Sequence, residues 1–160
     1  MVGFKSVHHL NYPTMSLNSA TSNEMIPKIS AIFSESQPEV IYVMNRSDAH
    51  SDHRYTFDAI AACTKSFRYP FIKKVLMYEC ISETEFAPAL SERLFMPNYF
   101  VNITGFFREK LTLMQVYESE LGEHPFPRSL KNIEALAIFR GASVGVDYAC
   151  LLYTSPSPRD

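Results

Sequence analysis

The sequence predicts an α/β domain built on a mainly parallel sheet, and three observations carry that prediction. Short runs of β-branched and apolar residues alternate with segments whose apolar residues recur at helical spacing, the pattern of βαβ units. Val40-Ile-Tyr-Val-Met44 is apolar without interruption, as a strand covered on both faces of a parallel sheet would be. The chain has 160 residues, 46% of them hydrophobic, which is enough for one core but not for two.

In chain order, Phe4–Leu10 reads as a short first strand and Asn11–Asn23, rich in Pro, Ser and Asn, as a loop. Met25, Ile29, Ile32 and Phe33 then repeat at helical spacing, with Pro27 where a first turn tolerates it. Gln37-Pro38 closes that helix, because the residue before a proline is pushed out of the right-handed helical region. Val40–Met44 is the next strand, expected at the centre of the sheet. Polar residues 45–50 leave its carboxyl end, and Ser51 is the expected cap of a helix with Phe57, Ile60, Ala61 and Thr64 on its inner face. Lys73–Cys80 and Tyr99–Ile103 read as further strands. Thr104 is expected to cap a helix reaching about Leu121, and Arg128–Arg140 forms the last helix, stopped by Gly141. The domain is read as residues 1–149. Residues 150–160 lack periodicity, carry two prolines in three positions and resemble the translated adaptor read-through that ends many reading frames assembled from environmental sequence. They are expected to make few contacts with the body, so that deleting them changes stability by less than ~0.5 kcal/mol.

Composition excludes several function classes. Fifteen Lys and Arg against seventeen Asp and Glu leave a net charge of −2, without the basic excess that a phosphate-backbone binder needs, so no nucleic-acid partner is expected. The five glycines, at positions 3, 105, 122, 141 and 145, cannot be threaded by a GxGxxG or Walker loop. No apolar stretch approaches the roughly 18 residues of a membrane span, and Met1-Val-Gly-Phe-Lys5 does not read as a secretory leader. Three cysteines without a CxxC suit a reducing, cytoplasmic setting better than a disulfide scaffold.

One cluster carries chemistry: Asp48-Ala-His50-Ser-Asp52-His53, between a strand and a helix start. Ligands of open α/β sheets sit outside the carboxyl ends of strands. His50 and His53, three apart, share one side of a first helical turn and should hold their imidazoles within about 7 Å of each other. Asp52 could take an imidazole N–H, the outer-sphere support that metal-binding histidines need. Two His and two Asp within six residues is metal-site composition, and a solvated polar helix start remains open beside it. Cys63 lies ten residues beyond His53, about 15 Å along a helix, and reads as a core residue. His8 and His9 are adjacent on the expected first strand and point to opposite faces.

The segment of strand, polar loop, His-x-Asp-His-Arg and helix resembles the second signature of the PIG-L/LmbE-like zinc-dependent N-acetyl amino-sugar deacetylases. The stretches 45–54, 78–86, 95–100, 110–117, 124–129 and 140–149 occur in the order of a bacterial branch of that family, so the resemblance spans residues 1–149. It implies a Rossmann-like three-layer sandwich and a Zn2+ cofactor. It further implies His53 as metal ligand, His50 as general acid or oxyanion stabiliser, and Asp52 as the residue orienting a histidine. Asp48, Arg46, Glu83, His124, Arg128 and Arg140 are candidate substrate-side residues, each equally readable as a salt bridge, loop tie or helix-end charge. The implied substrate is a small molecule or glycan bearing an N-acetyl amino sugar, and a homo-oligomer stays open.

Two departures matter. The family's first signature, Ala-His-Pro-Asp-Asp-Glu, which supplies two further zinc ligands and the base that activates water, does not occur in this sequence. The family's proline between the motif's first His and its Asp is Ser51 here. With the break at Cys150, the chain reads as truncated at both ends, and with one family-equivalent ligand it is expected to bind zinc weakly and to be inactive alone. A non-catalytic carbohydrate-binding member of the same fold is the alternative reading. A metallo-β-lactamase-like hydrolase is a more distant one, since only His124 follows His53 to supply the further histidines such an enzyme needs.

Overall fold

The computed structural model describes residues 3–154. Helix α1 (Ser19–Ser36) leads to strand β1 (Val40–Met44), helix α2 (Ser51–Ala62) and strand β2 (Lys74–Tyr78). Strand β3 (Tyr99–Asn102), helix α3 (Phe107–Gln115), helix α4 (Leu130–Ala142) and strand β4 (Ala149–Thr154) follow, with single 3-10 turns at 91–93, 104–106 and 118–120.

Local chemistry accounts for most boundaries. The Asn18 side chain accepts from the Ala20 and Thr21 amides while Thr21 Oγ1 accepts from the Asn18 amide, a reciprocal cap that starts α1 well before Met25 and leaves Pro27 inside the helix. Gln37, left-handed at φ 46°, ends it before Pro38. Ser129 caps α4 through the Asn132 amide. Gly141 lies within α4 rather than beyond it, and a Cβ there would sit 2.5 Å from the Val146 carbonyl oxygen. The helix expected from Thr104 to Leu121 is broken into a 3-10 turn, α3 and another 3-10 turn. Its one buried anchor is Phe107, stacked on Tyr148 at 3.9 Å, while Val116 is exposed. No strand forms over residues 4–10, which are mostly exposed, so His8 and His9 lie on an irregular segment.

The sheet has the order β1-β2-β4-β3. β1 and β2 are parallel, whereas β4 runs antiparallel to both β2 and β3. Among the described residues the sheet is therefore mixed, not mainly parallel, and β1 lies at its edge, not at its centre. Ile41 and Val43 are buried; Val40 and Tyr42, on the other face, are exposed. Valine and tyrosine suit a strand whether or not they are covered, so an unbroken apolar run could not reveal the second face as open.

The expectation for residues 150–160 fails over 150–154. The boundary drawn at 149 cuts the first residue from strand β4, which sits between β2 and β3 with Leu151 and Leu152 only 1% and 4% exposed. Setting this segment aside hid the strand that makes the sheet mixed; residues 155–160 lie outside the described residues.

α1 and α2 pack together over β1, and Met25, Ile29, Ile41, Ala59, Cys63, Tyr69 and Ile72 form the core between them. The inner face of α2 is thus centred on Ala59 and Cys63 rather than Phe57 and Ala61. α4 packs on β4.

Candidate active site

Parallel pairing of Val40–Met44 with Lys74–Tyr78 brings the carboxyl ends of β1 and β2 side by side. The loop 45–50 and the turn 80–84 therefore face each other. The Ala49 amide donates to the Glu83 carbonyl at 2.9 Å, and the amides of Glu83 and Thr84 donate to the Cys80 carbonyl. Arg54 closes the loop from the far side, donating to the carbonyls of Asp48 and Ala49.

Two imidazoles lie at this junction, stacked with centroids 5.0 Å apart and planes inclined by 21°. Each is held differently. His50, not Ser51, caps α2: its Nδ1 accepts from the Asp52 amide at 3.1 Å, so the neutral ring carries its proton on Nε2. His53 Nδ1 lies 2.8 Å from Oδ2 of Asp48, which is fully buried, so Nδ1–H donates and Nε2 keeps a lone pair. A carboxylate on one ring nitrogen is the arrangement that fixes a metal-binding histidine.

The carboxylate that orients a histidine is Asp48, not Asp52. Asp52 accepts from the Met15 and Leu17 amides and ties the 11–18 loop to α2. Asp48 also accepts from Thr84 Oγ1 at 2.7 Å, so both its oxygens are engaged within the fold. The other candidates disperse. Arg46 is exposed and donates to the Glu92 carbonyl. The Glu83 side chain contacts Ser82 Oγ, and Arg128 binds Ser82 Oγ and the Glu120 carboxylate. His124 is exposed in the loop before α4.

Arg140 pairs with Glu79 at 3.0 Å and, with it, lines a cavity of about 440 Å³. Cys80, Thr84, Asn132, Phe95 and Phe139 complete much of its wall, and Arg140 Nε is buried there without a partner. Cys80 and Thr84 connect this cavity to Asp48 and His53. No periodic signal in the sequence marks Glu79, Cys80, Thr84 or Asn132; the first three fall in the 78–86 stretch of the family resemblance, which gave them no role.

One ligand atom each from Asp48, His53 and Cys80 lies within 4.8 Å of the other two. These three side chains, far apart in the sequence, meet because the Asp48 loop folds back and β2 delivers Cys80. Carboxylate, imidazole and sulfur are a donor set that fits zinc. Burial, with the neighbouring carboxylates of Asp48, Glu83 and Glu85, pushes the metal-free Cys80 thiol up to about 11.

The chain thus has an α/β fold with paired histidines beside the carboxyl ends of β1 and β2. The PIG-L: GlcNAc-PI de-N-acetylase family model matches residues 1–64, so the resemblance to the PIG-L/LmbE-like family holds. The fold is similar to N,N'-diacetylchitobiose deacetylase from Pyrococcus horikoshii, with 20% identity, TM-score 0.64, 92% of this chain and 56% of that chain covered. It is also similar to the conserved protein TT1542 from Thermus thermophilus (22% identity, TM-score 0.67, 93% and 64% covered). A third similar structure is the zinc-inhibited form of teicoplanin deacetylase Orf2 (14% identity, TM-score 0.64, 96% and 61% covered). The chain thus spans between 56% and 64% of the length of these three structures. Comparison with curated protein sequences finds no match. Among the described residues no helix is long and apolar enough to cross a membrane.

Proposed function

We propose that this chain carries the histidine-bearing part of a zinc-dependent hydrolase that removes the acetyl group from an N-acetylated amino sugar or its conjugate. The observation that carries the reading is the pair of stacked imidazoles with complementary anchors: His53 held through Nδ1 by buried Asp48, and His50 held through Nδ1 by a backbone amide. The family match over residues 1–64, and the deacetylases among proteins of similar fold, support an acetamide as the group attacked.

His53 would hold the zinc, with Asp48 fixing its ring. Bound zinc supplies polarisation of an amide carbonyl and a water of pKa near ~7. His50, with its proton on Nε2, offers a hydrogen bond to a developing oxyanion. The cavity lined by Phe95, Asn132, Phe139 and Arg140 would seat the sugar portion beside these groups.

Without the Ala-His-Pro-Asp-Asp-Glu signature the chain by itself should release no acetate. A version extended by a strand and that turn should release it from N-acetylglucosamine derivatives. In the extended protein, His53→Ala should lose zinc in isothermal titration. His50→Ala should keep zinc and lose about 10²- to 10³-fold in rate, the usual worth of an oxyanion donor. Zinc uptake unchanged by His53→Ala would remove the basis of this reading.

A further inference from the structure

Cys80 is unused by the chemistry just described and belongs to neither the matched residues 1–64 nor the ligand types that the resemblance implies. Yet several contacts fix its position. Its amide donates to Thr84 Oγ1 at 2.8 Å, and its carbonyl accepts from the Glu83 and Thr84 amides. Thr84 Oγ1 in turn donates to Asp48, whose other oxygen holds His53. One turn therefore locks the sulfur and the His53 carboxylate partner to each other. Cys80 is a free thiol, half-buried, on the wall where the cavity meets the histidines. Among the described residues no other group of three His, Cys, Asp or Glu side chains is gathered in this way.

We propose that Cys80 supplies a thiolate to the metal held by His53, while the Asp48 carboxylate stays on His53 Nδ1 and fixes the ring. The inference rests on His53 being a metal ligand. On binding, the thiol proton leaves to solvent and a metal–sulfur bond takes its place. Imidazole and thiolate together select Zn2+ and Co2+ over Mg2+ and Ca2+, which prefer all-oxygen sites. An ion held by His53 and Cys80 in this chain would keep open positions toward the cavity that Cys80 lines.

Cobalt titration of the 160-residue chain tests this. One Co2+ per chain should bring up the intense near-ultraviolet band of a cobalt–thiolate bond, and excess Mg2+ should not suppress it. Cys80→Ser should lose the band and weaken zinc binding by about 100-fold or more, beyond what loss of an outer-sphere partner typically produces. Cys63→Ser and Cys150→Ser should keep it. A measurement on the unmutated chain guards against misfolding of the variant: saturating zinc should protect one thiol from alkylation, and peptide mapping should identify it as Cys80. A cobalt complex without the thiolate band, or zinc protection of a different cysteine, overturns the role of Cys80 and leaves the hydrolase reading standing. Zinc or cobalt uptake indifferent to His53→Ala overturns both.

Discussion

Asp48 is the residue on which the site's local order depends. Fully buried, it accepts from His53 Nδ1 and Thr84 Oγ1, and its backbone carbonyl accepts from Arg54. Asp48→Ala removes two acceptors at once and strands two donors at the junction of β1 and β2. Urea unfolding should show a loss of ~1–3 kcal/mol, the cost of leaving buried polar groups unpaired. Asp48→Asn keeps the shape and one acceptor oxygen, so it should lose less; equal losses for the two would mean that volume, not hydrogen bonding, is what Asp48 provides. The His-x-Asp-His spacing made both histidines legible and placed them within reach of each other. It assigned the supporting carboxylate to the wrong aspartate, because sequence adjacency favoured Asp52 while the fold turned the loop back and spent Asp52 on the Met15 and Leu17 amides.

Among the elements, β4 decides the sheet. It pairs with β2 through Leu76–Tyr78 and with β3 through Tyr99–Asn102. Leu151→Ala should destabilise the domain by ~2–5 kcal/mol, the range for a leucine truncated in a close-packed core. Ending the chain at Ala149 should cost at least as much, since two strands then lose their shared partner. A truncated chain with an unchanged urea midpoint would show that β4 contributes nothing to the fold. The end of α4 offers a second measure at this scale. Alanine ordinarily stabilises a helix relative to glycine by up to ~1 kcal/mol. At position 141 its Cβ would press on the Val146 and Asp147 carbonyls, 2.5 and 2.8 Å away. Gly141→Ala should therefore lower the thermal midpoint; a rise would mean that the 143–147 turn can move aside.

At the level of the whole molecule, thiol and phenol burial sets the alkaline limit. Burial raises Cys63, Cys80 and Cys150 above the ordinary thiol value of 9.0, Cys80 to about 11, and it also raises the Tyr78 phenol. The folded chain thus holds these protons more tightly than the unfolded chain. Their contribution to stability is fully present below about pH 9 and is lost as pH rises through the folded values. Urea midpoints should be flat with respect to these groups from about pH 7.5 to 8.5 and decline by about pH 10.5. A midpoint that climbs over that interval would contradict the sign of the shifts.

The sequence by itself determined the α/β class, the strands beginning near Val40, Lys74 and Tyr99, the helix from Ser51, and the two histidines at a strand's carboxyl end. These follow from short-range periodicity, caps and spacing, which one stretch of chain carries alone. Tertiary structure decided that β1 is an edge strand, that β4 sits inside the sheet, and that Asp48, Cys80 and Thr84 meet at His53. Those outcomes depend on which strands pair and in which direction. Pairing joins residues far apart in the chain through backbone hydrogen bonds that any side chain can accompany, so no local pattern records it.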